Sequence, residues 1–110
     1  MKTMRNDRYT YRVTWSDEDG QYVGLCAEFS SMSWLANDPT AALRGIRSAV
    51  AEAVADMKLH NEAVPEPLSQ HRFSGKFVVR VPTLVHRQLA IEAAEAGVSL
   101  NRLASAKLAR

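Results

Sequence analysis

The chain has 110 residues and a formal net charge of +2, a length that allows one domain or two very small ones. Its single cysteine, Cys26, excludes an internal disulfide and is compatible with a reducing compartment. No apolar run approaches membrane-spanning length and Met1–Arg8 lacks the apolar core of a signal peptide, so we expect a cytoplasmic protein that does not bind membranes.

The charge is divided unevenly along the chain. Residues 71–110 hold seven Lys and Arg against two Glu, a net charge of +5, whereas residues 1–70 hold seven against ten acids, a net charge of −3. A basic block beside an acidic block is typical of a nucleic-acid-binding module joined to a module with another role.

The N-terminal half predicts a small antiparallel sheet. After the polar start, residues 9–15 alternate between apolar and polar side chains, as a half-buried strand does. A turn in which Gly20 takes a positive φ leads to a returning strand over residues 22–29. In that strand we expect one face to carry Val23, Leu25, Ala27 and Phe29. Residues 34–36 predict a short third strand.

A long helix is predicted from Pro39 to about Leu59, with Asp38 as its N-cap. One stripe of this helix, expected to pack across the sheet with Ala53 beside it, carries Leu43, Ile46, Val50, Val54 and Met57. Residues 61–70 contain two prolines and cannot continue the helix. They predict a linker or the approach to an edge strand.

Residues 76–82 alternate strictly. One face carries Phe77, Val79 and Val81, and the other carries Lys76, Val78 and Arg80. Burying each large apolar side chain is worth about 1.5–3 kcal/mol, so this strand needs a partner, and no strand follows it in the chain. We therefore expect it to pair with the same strand of a second copy. Such a two-stranded ribbon fits the major groove of DNA.

Two amphipathic helices are predicted after this strand. Pro82 ends the strand and begins a helix whose apolar face carries Val85, Leu89, Ala93 and Ala96. Gly97 is the expected left-handed stop, and Ser99 is the N-cap of a second helix that carries Leu100, Leu103, Ala104 and Leu108. Segments of about forty residues rarely fold alone without disulfides, metal or oligomerisation, so we expect an obligate dimer.

Residues 72–110, with the motifs S-G-K-F-V-V-R-V-P and G-V-S-L-N, resemble a ribbon-helix-helix DNA-binding domain of the Arc/MetJ kind. They resemble the C-terminal domain of HicB-type antitoxins more closely. The resemblance implies base reading by Lys76, Val78 and Arg80, and phosphate binding at the start of the second helix by Ser99, Leu100 and Asn101. It implies a dimer core of Phe77, Val79, Val81, Val85, Leu89 and Leu100. Val78 departs from the usual polar reader, which limits it to a thymine methyl contact or to none.

Residues 22–43, Y-V-G-L-C-A-E-F-S-S-M-S-W-L-A-N-D-P-T-A-A-L, resemble the HicB N-terminal domain, a shortened ribonuclease-H-like fold in which proline often stands where this chain has Ser30. The resemblance implies an α+β antitoxin that neutralises a HicA-like, mRNA-cleaving toxin and, as a dimer, represses its own operon at operator DNA. We expect a toxin-binding domain over residues 1–68 and a ribbon-helix-helix domain over residues 69–110, with a linker at 69–75.

Two other functions remain open from the sequence. One is a free-standing ribbon-helix-helix regulator whose N-terminal domain senses a ligand or oligomerises. The other is a nuclease that uses Asp17, Glu18 and Asp19, but consecutive acids at a turn point in divergent directions. His60, His71 and His86 lie in separate segments without metal-ligand spacing, so we expect no enzyme, metal or cofactor. Leu84 and Ile91, away from the main helix stripe, leave open whether dimers join into tetramers.

Overall fold

The computed structural model describes residues 6–110, so the predicted polar start at Met1–Arg8 lies largely outside the described residues. The chain forms two compact units, one that ends at Phe73 and one that covers Ser74–Arg110. With a three-stranded antiparallel sheet and three α-helices, the predicted α+β class is confirmed. The division falls after the boundary expected at residue 68.

The sheet of the N-terminal unit has the order β1 (Tyr11–Ser16), β2 (Gln21–Cys26) and β3 (Ser33–Ala36), and both pairs are antiparallel. A tight turn joins β1 to β2. In it Gly20 has φ +64° and its N–H donates to the Ser16 carbonyl at 2.8 Å. All three predicted strands are present, within one to three residues of their expected bounds.

The strand β2 differs from its prediction in length and in the face that it buries. It ends at Cys26, because Ala27–Phe29 form a 3-10 turn. The residues that it buries are Gly24 and Cys26, not the alternate set around Val23 and Leu25. The physical reason is close packing: a Cβ at Gly24 would lie 2.5 Å from the Ala42 carbonyl oxygen of the helix. The helix therefore packs over the glycine.

The helix α1 (Pro39–Leu59) packs across the sheet. As predicted, Asp38 caps it, and its carboxylate accepts the Ala41 N–H at 2.9 Å. The buried stripe is shifted from the expected one, since Leu43 is exposed while small residues are buried at the N-terminal end. The Trp34 ring occupies the space that a Cβ on Gly45 would need. The buried residues of α1 are Ala42, Gly45, Ile46, Val50 and Val54.

The segment after α1 returns to the N-terminal unit and forms a 3-10 turn at Leu68–Gln70. Val64 packs against the core. Three hydrogen bonds hold the segment: the Tyr9 hydroxyl to the Pro65 carbonyl (2.6 Å), the Leu68 N–H to the Glu28 carboxylate (2.8 Å), and the Ser69 hydroxyl to the Arg8 carbonyl (2.6 Å). These bonds attach residues 65–69 to the N-terminal unit, so this part of the predicted linker is not free.

The C-terminal unit contains α2 (Thr83–Ala96) and α3 (Leu100–Leu108). As predicted, Gly97 ends α2 with φ +71°, and Ser99 caps α3. Residues 76–82, predicted as a strand, pair with no other strand in the described part of the chain. The physical reason is that a strand is held by backbone hydrogen bonds to a neighbouring strand, and the C-terminal unit offers no second strand for this segment. Among residues 6–110 no helix is long and apolar enough to cross a membrane.

Candidate DNA-binding and dimerisation surface

The segment that holds the predicted base readers is open to solvent along its whole length. It begins at a turn in which Gly75 has φ +85° and the Ser74 hydroxyl accepts the Lys76 N–H at 3.0 Å. All three predicted readers, Lys76, Val78 and Arg80, are exposed, and Val78 is 90% exposed. Nothing in the C-terminal unit covers their side chains.

The apolar set of the same segment is also uncovered. Phe77 is 73% exposed, Val79 59% and Val81 42%. Among the described residues of this unit, Ala93 is the one hydrophobic residue that is buried. Of the other predicted core residues, Val85 is exposed, while Leu89 and Leu100 are half-buried. A single copy of this unit therefore lacks the apolar core that a stable domain of its size needs.

The turn between α2 and α3 is fixed by backbone hydrogen bonds. The Gly97 N–H donates to the Ala94 carbonyl at 3.2 Å, and the Val98 N–H donates to the Ala93 carbonyl at 3.0 Å. This pair of bonds is a Schellman motif, which requires the left-handed conformation of Gly97. The Lys107 ammonium lies 3.3 Å from the Glu92 carboxylate and joins the two helices. The start of α3 consequently has a defined orientation relative to α2.

The predicted phosphate-binding residues lie together at the start of α3. The Ser99 hydroxyl accepts the Arg102 N–H at 3.0 Å, which leaves the N–H groups of Leu100 and Asn101 without intrahelical acceptors. The helix dipole makes this end positive, and the Arg102 side chain adds a full charge nearby. Such an arrangement can bind an anion.

The charges of the C-terminal unit suit a polyanion. Residues 74–110 hold six Lys and Arg against two Glu, a net charge of +4, and Glu92 is paired with Lys107. Exposed cations that neutralise phosphates supply most of the sequence-independent affinity for DNA. The six cations are Lys76, Arg80, Arg87, Arg102, Lys107 and Arg110.

Sequence reasoning missed Glu28, which organises the N-terminal unit. Its carboxylate accepts the Thr10 N–H (2.9 Å), the Thr10 hydroxyl (3.0 Å) and the Leu68 N–H (2.8 Å). Burial alone would raise the pKa of Glu28, but the hydrogen bonds from Leu68 and Thr10 outweigh it and lower the pKa to about 2. No local pattern could reveal this role, because Leu68 is distant in the sequence.

The other residues considered for chemistry do not come together. In the part of the chain that the structure describes, no three His, Cys, Asp or Glu side chains are grouped as metal ligands. Asp17 accepts the Trp15 indole N–H and Asp19 accepts the Ser16 hydroxyl, so both carboxylates are used within the hairpin. Cys26 is buried, and burial raises the pKa of its thiol.

Comparison with known families bears on the C-terminal part of the chain. The family model described as the HicB family matches residues 59–108, from the last residue of α1 to the last residue of α3. Comparison with curated proteins and with solved structures found no match. The sheet and nearly all of α1 lie outside the matched residues. The comparison therefore shows that residues 59–108 are similar to the HicB family.

Proposed function

We propose that this chain is an antitoxin with two binding activities. The unit that ends at Phe73 binds and neutralises a HicA-like toxin that cleaves mRNA, and the unit Ser74–Arg110 forms a dimer that binds operator DNA and represses the operon. The HicB family match supports the antitoxin role.

The observation that carries the proposal is the uncovered segment at residues 76–82. Its apolar side chains are mostly exposed and its backbone is outside any sheet of the described chain. Pairing with the same segment of a second copy would cover Phe77, Val79 and Val81 and complete a two-stranded ribbon. Lys76, Val78 and Arg80 would then face outward from each copy.

The alternation would place Lys76 and Arg80 where both side chains can contact DNA. Arg80 can donate two hydrogen bonds to a guanine edge, and Lys76 can bind guanine or phosphate. The α3 N-terminus would hold a phosphate and set the register of the ribbon on the duplex, since phosphate contacts position a protein without reading its sequence. The net charge of +4 would add affinity that falls as salt concentration rises.

The proposed toxin-binding role of the N-terminal unit agrees with its charge. Residues 1–73 hold eight Lys and Arg against ten acids, a net charge of −2, and a protein that handles RNA needs a basic surface. Attraction between an acidic surface and a basic partner accelerates their association. Repulsion weakens the binding of acidic proteins to the same surface.

Co-expression with the protein encoded by the adjacent reading frame tests the proposal. We expect the two proteins to co-purify, growth arrest by the neighbour to be relieved, and a DNA fragment from upstream of the operon to be shifted in a gel. Light scattering after size-exclusion chromatography should give an even number of copies of this chain. Absence of a complex together with absence of growth rescue would contradict the antitoxin role.

One observation favours the rival function, a regulator that senses a ligand. An open groove of about 770 Å³ lies beside α1, and its charged lining residues are Arg44, Arg47, Lys58 and Asp7, of which Asp7 pairs with Arg47. The net positive charge of this lining favours a small anion as ligand. Under the rival function, operator binding would change with a small anion and the adjacent reading frame would encode no toxin.

A further inference from the structure

One face of α2 carries two apolar side chains that a single copy of the chain leaves uncovered. Leu84 is 61% exposed and Ile91 is 48% exposed. They are seven residues apart, so they lie on the same face, about two helical turns from each other. Ala93, the buried residue of α2, lies about 160–180° around the helix from both of them. Leu84 and Ile91 therefore point away from the buried side of α2.

The proposed ribbon dimer does not use this face either. The residues of α2 that we expect in the dimer core are Val85 and Leu89, which lie about 100–160° around the helix from Leu84 and Ile91. A rotation of that size places a side chain on a different side of the helix. Pairing through residues 76–82 would consequently leave the face around Ile91 exposed, and grouped apolar side chains without cover are typical of an interaction surface.

Two residues of opposite charge flank Ile91 at equal distances along α2. Arg87 is four residues before it and Glu95 is four residues after it, and both are exposed. Within residues 6–110 neither of them forms a salt bridge, whereas Glu92 of the same helix pairs with Lys107. When the helix is turned end for end about Ile91, each charge is replaced by the opposite one. The face is therefore complementary to itself.

We propose that this face binds the same face of a second copy, with the two α2 helices antiparallel. The face, which we name the α2 patch, consists of Leu84, Arg87, Ile91 and Glu95. With Ile91 on the two-fold axis, each Arg87 lies level with Glu95 of the second copy, and the two Ile91 side chains meet at the centre. The same surface is used on both sides of such a contact, as in the commonest symmetric assemblies.

The consequence for DNA binding rests on the proposed function. A ribbon dimer carries one α2 patch on each of its two copies, so neighbouring dimers can join side by side through their α2 helices. Binding of one dimer to operator DNA would then favour binding of a second dimer beside it, because the second gains a protein contact in addition to its DNA contacts. We therefore expect cooperative occupation of adjacent sites.

The charges of the α2 patch fit a second copy better than other partners. DNA would be repelled by Glu95, and a partner surface of one sign would meet a like charge at either Arg87 or Glu95. A second copy pairs both charges at once. An apolar centre with charged residues at its margin is also the usual arrangement of a protein interface.

The test uses the full chain and sedimentation velocity over a wide range of protein concentration. Ile91→Glu alters the centre of the α2 patch, and Arg87→Glu and Glu95→Arg each reverse one charge. A double variant carries both reversals, which exchanges the two charges and keeps the face complementary to itself. The matched control is Leu59→Glu, which makes the same kind of change as Ile91→Glu at a 79% exposed residue of α1.

The wild type should associate beyond two copies as its concentration rises. Ile91→Glu should weaken this association about tenfold or more, because it brings two carboxylates together at the centre of the contact. Each single charge reversal should weaken it several-fold, and the double variant should return to within about twofold of the wild type, as expected of residues in direct contact. Leu59→Glu should behave as the wild type does.

Gel-shift titrations with DNA from upstream of the operon give a second measurement. Binding should be cooperative for the wild type, for Leu59→Glu and for the double variant, and the titration should be less steep for Ile91→Glu. The steepness is compared rather than the affinity, because reversing a charge also alters the general attraction to phosphates.

Several outcomes would overturn the proposal. A wild type that stays at two copies at every concentration and binds DNA without cooperativity would overturn the α2 patch and leave the ribbon dimer in place. A double variant as weak as the single ones would overturn the pairing of Arg87 with Glu95. Loss of toxin binding by Ile91→Glu with unchanged self-association would assign the face to the toxin. A monomeric wild type would overturn both this proposal and the ribbon dimer. The charge reversals, at exposed positions, keep the test decisive if Ile91→Glu unfolds.

Discussion

Glu28 connects three segments that are distant in the sequence. Its carboxylate is held by donors from Thr10, just before β1, and from Leu68, after α1. Removing the charge would weaken the hydrogen bond from the Leu68 N–H and loosen the segment that completes the N-terminal unit. At the scale of single residues, this carboxylate accepts more side-chain hydrogen bonds than any other carboxylate among residues 6–73.

Glu28→Gln should lower the free energy of unfolding at pH 7 by about 1–2 kcal/mol, because a hydrogen bond to a charged group is replaced by a weaker one. The folded-state pKa of about 2 lies below the ordinary value of 4.5, so the stabilisation by Glu28 is fully present above pH 4.5. It is lost as the pH falls toward 2, and the difference between wild type and variant should shrink over that range.

Urea unfolding at several pH values measures both effects of Glu28→Gln. Glu52→Gln, at an exposed residue of α1, is the control and should change stability by no more than about 0.5 kcal/mol. A difference between wild type and Glu28→Gln that stays constant down to pH 2 would contradict the role of the charge.

Arg80→Ala should weaken operator binding by about 1–3 kcal/mol, the value of a good bidentate contact with a base. Arg80 is exposed, so helical content and dimerisation should stay the same. Gel-shift titrations with operator and random DNA measure the effect, and the loss should be larger on operator DNA. Unchanged operator affinity would rule out base reading by Arg80.

Ser99→Ala should act on both stability and DNA binding. It removes a helix N-cap worth about 0.5–2 kcal/mol and loosens the N–H groups of Leu100 and Asn101. Because phosphates carry no sequence information, affinity for operator and random DNA should fall by similar factors. A loss confined to operator DNA would mean that Ser99 contacts a base.

At the scale of elements, the helices followed local signals more closely than the strands did. Asp38, Gly97 and Ser99 mark helix ends through hydrogen bonds to residues within a few positions, so the sequence alone was enough to place them. The buried face of β2 depended on the helix that packs against it. Alternation in β2 is compatible with either face, and the close approach of Ala42 selected the face with Gly24.

Gly24→Ala tests this close approach. The added Cβ would meet a carbonyl oxygen of the α1 backbone at 2.5 Å, and a backbone atom cannot move aside as a flexible side chain can. We expect a loss of about 1–3 kcal/mol in the free energy of unfolding, as for other overpacked sites. Urea unfolding measures it, and wild-type stability would show that α1 can shift away from the sheet.

At the scale of the whole molecule, the two proposed activities should separate between Phe73 and Ser74. The Leu68 N–H donates to Glu28 and the Ser69 hydroxyl donates to the Arg8 carbonyl, so a fragment that ends at residue 73 should be more stable than one that ends at 67. Fragment 1–73 should neutralise the toxin without repression. Fragment 74–110 should bind operator DNA weakly and give no protection.

Circular dichroism of these fragments measures their stability. Growth rescue and gel shifts test whether toxin neutralisation and operator binding separate between them. A fragment 1–67 as stable as 1–73 would show that residues 68–73 contribute little to the unit. Growth rescue by fragment 74–110 alone would contradict the proposed division of the two activities.

The α+β class, the three strands and the helix caps could be predicted from the sequence, because they depend on periodicity and on contacts between near neighbours. The buried face of β2, the role of Glu28 and the attachment of residues 64–70 could not be predicted from the sequence. Each of these depends on atoms brought together from distant positions, such as Ala42 over Gly24 and Leu68 beside Glu28. The sequence pattern indicates which side chains favour burial or hydrogen bonding. The packing of the folded chain determines which atoms they contact.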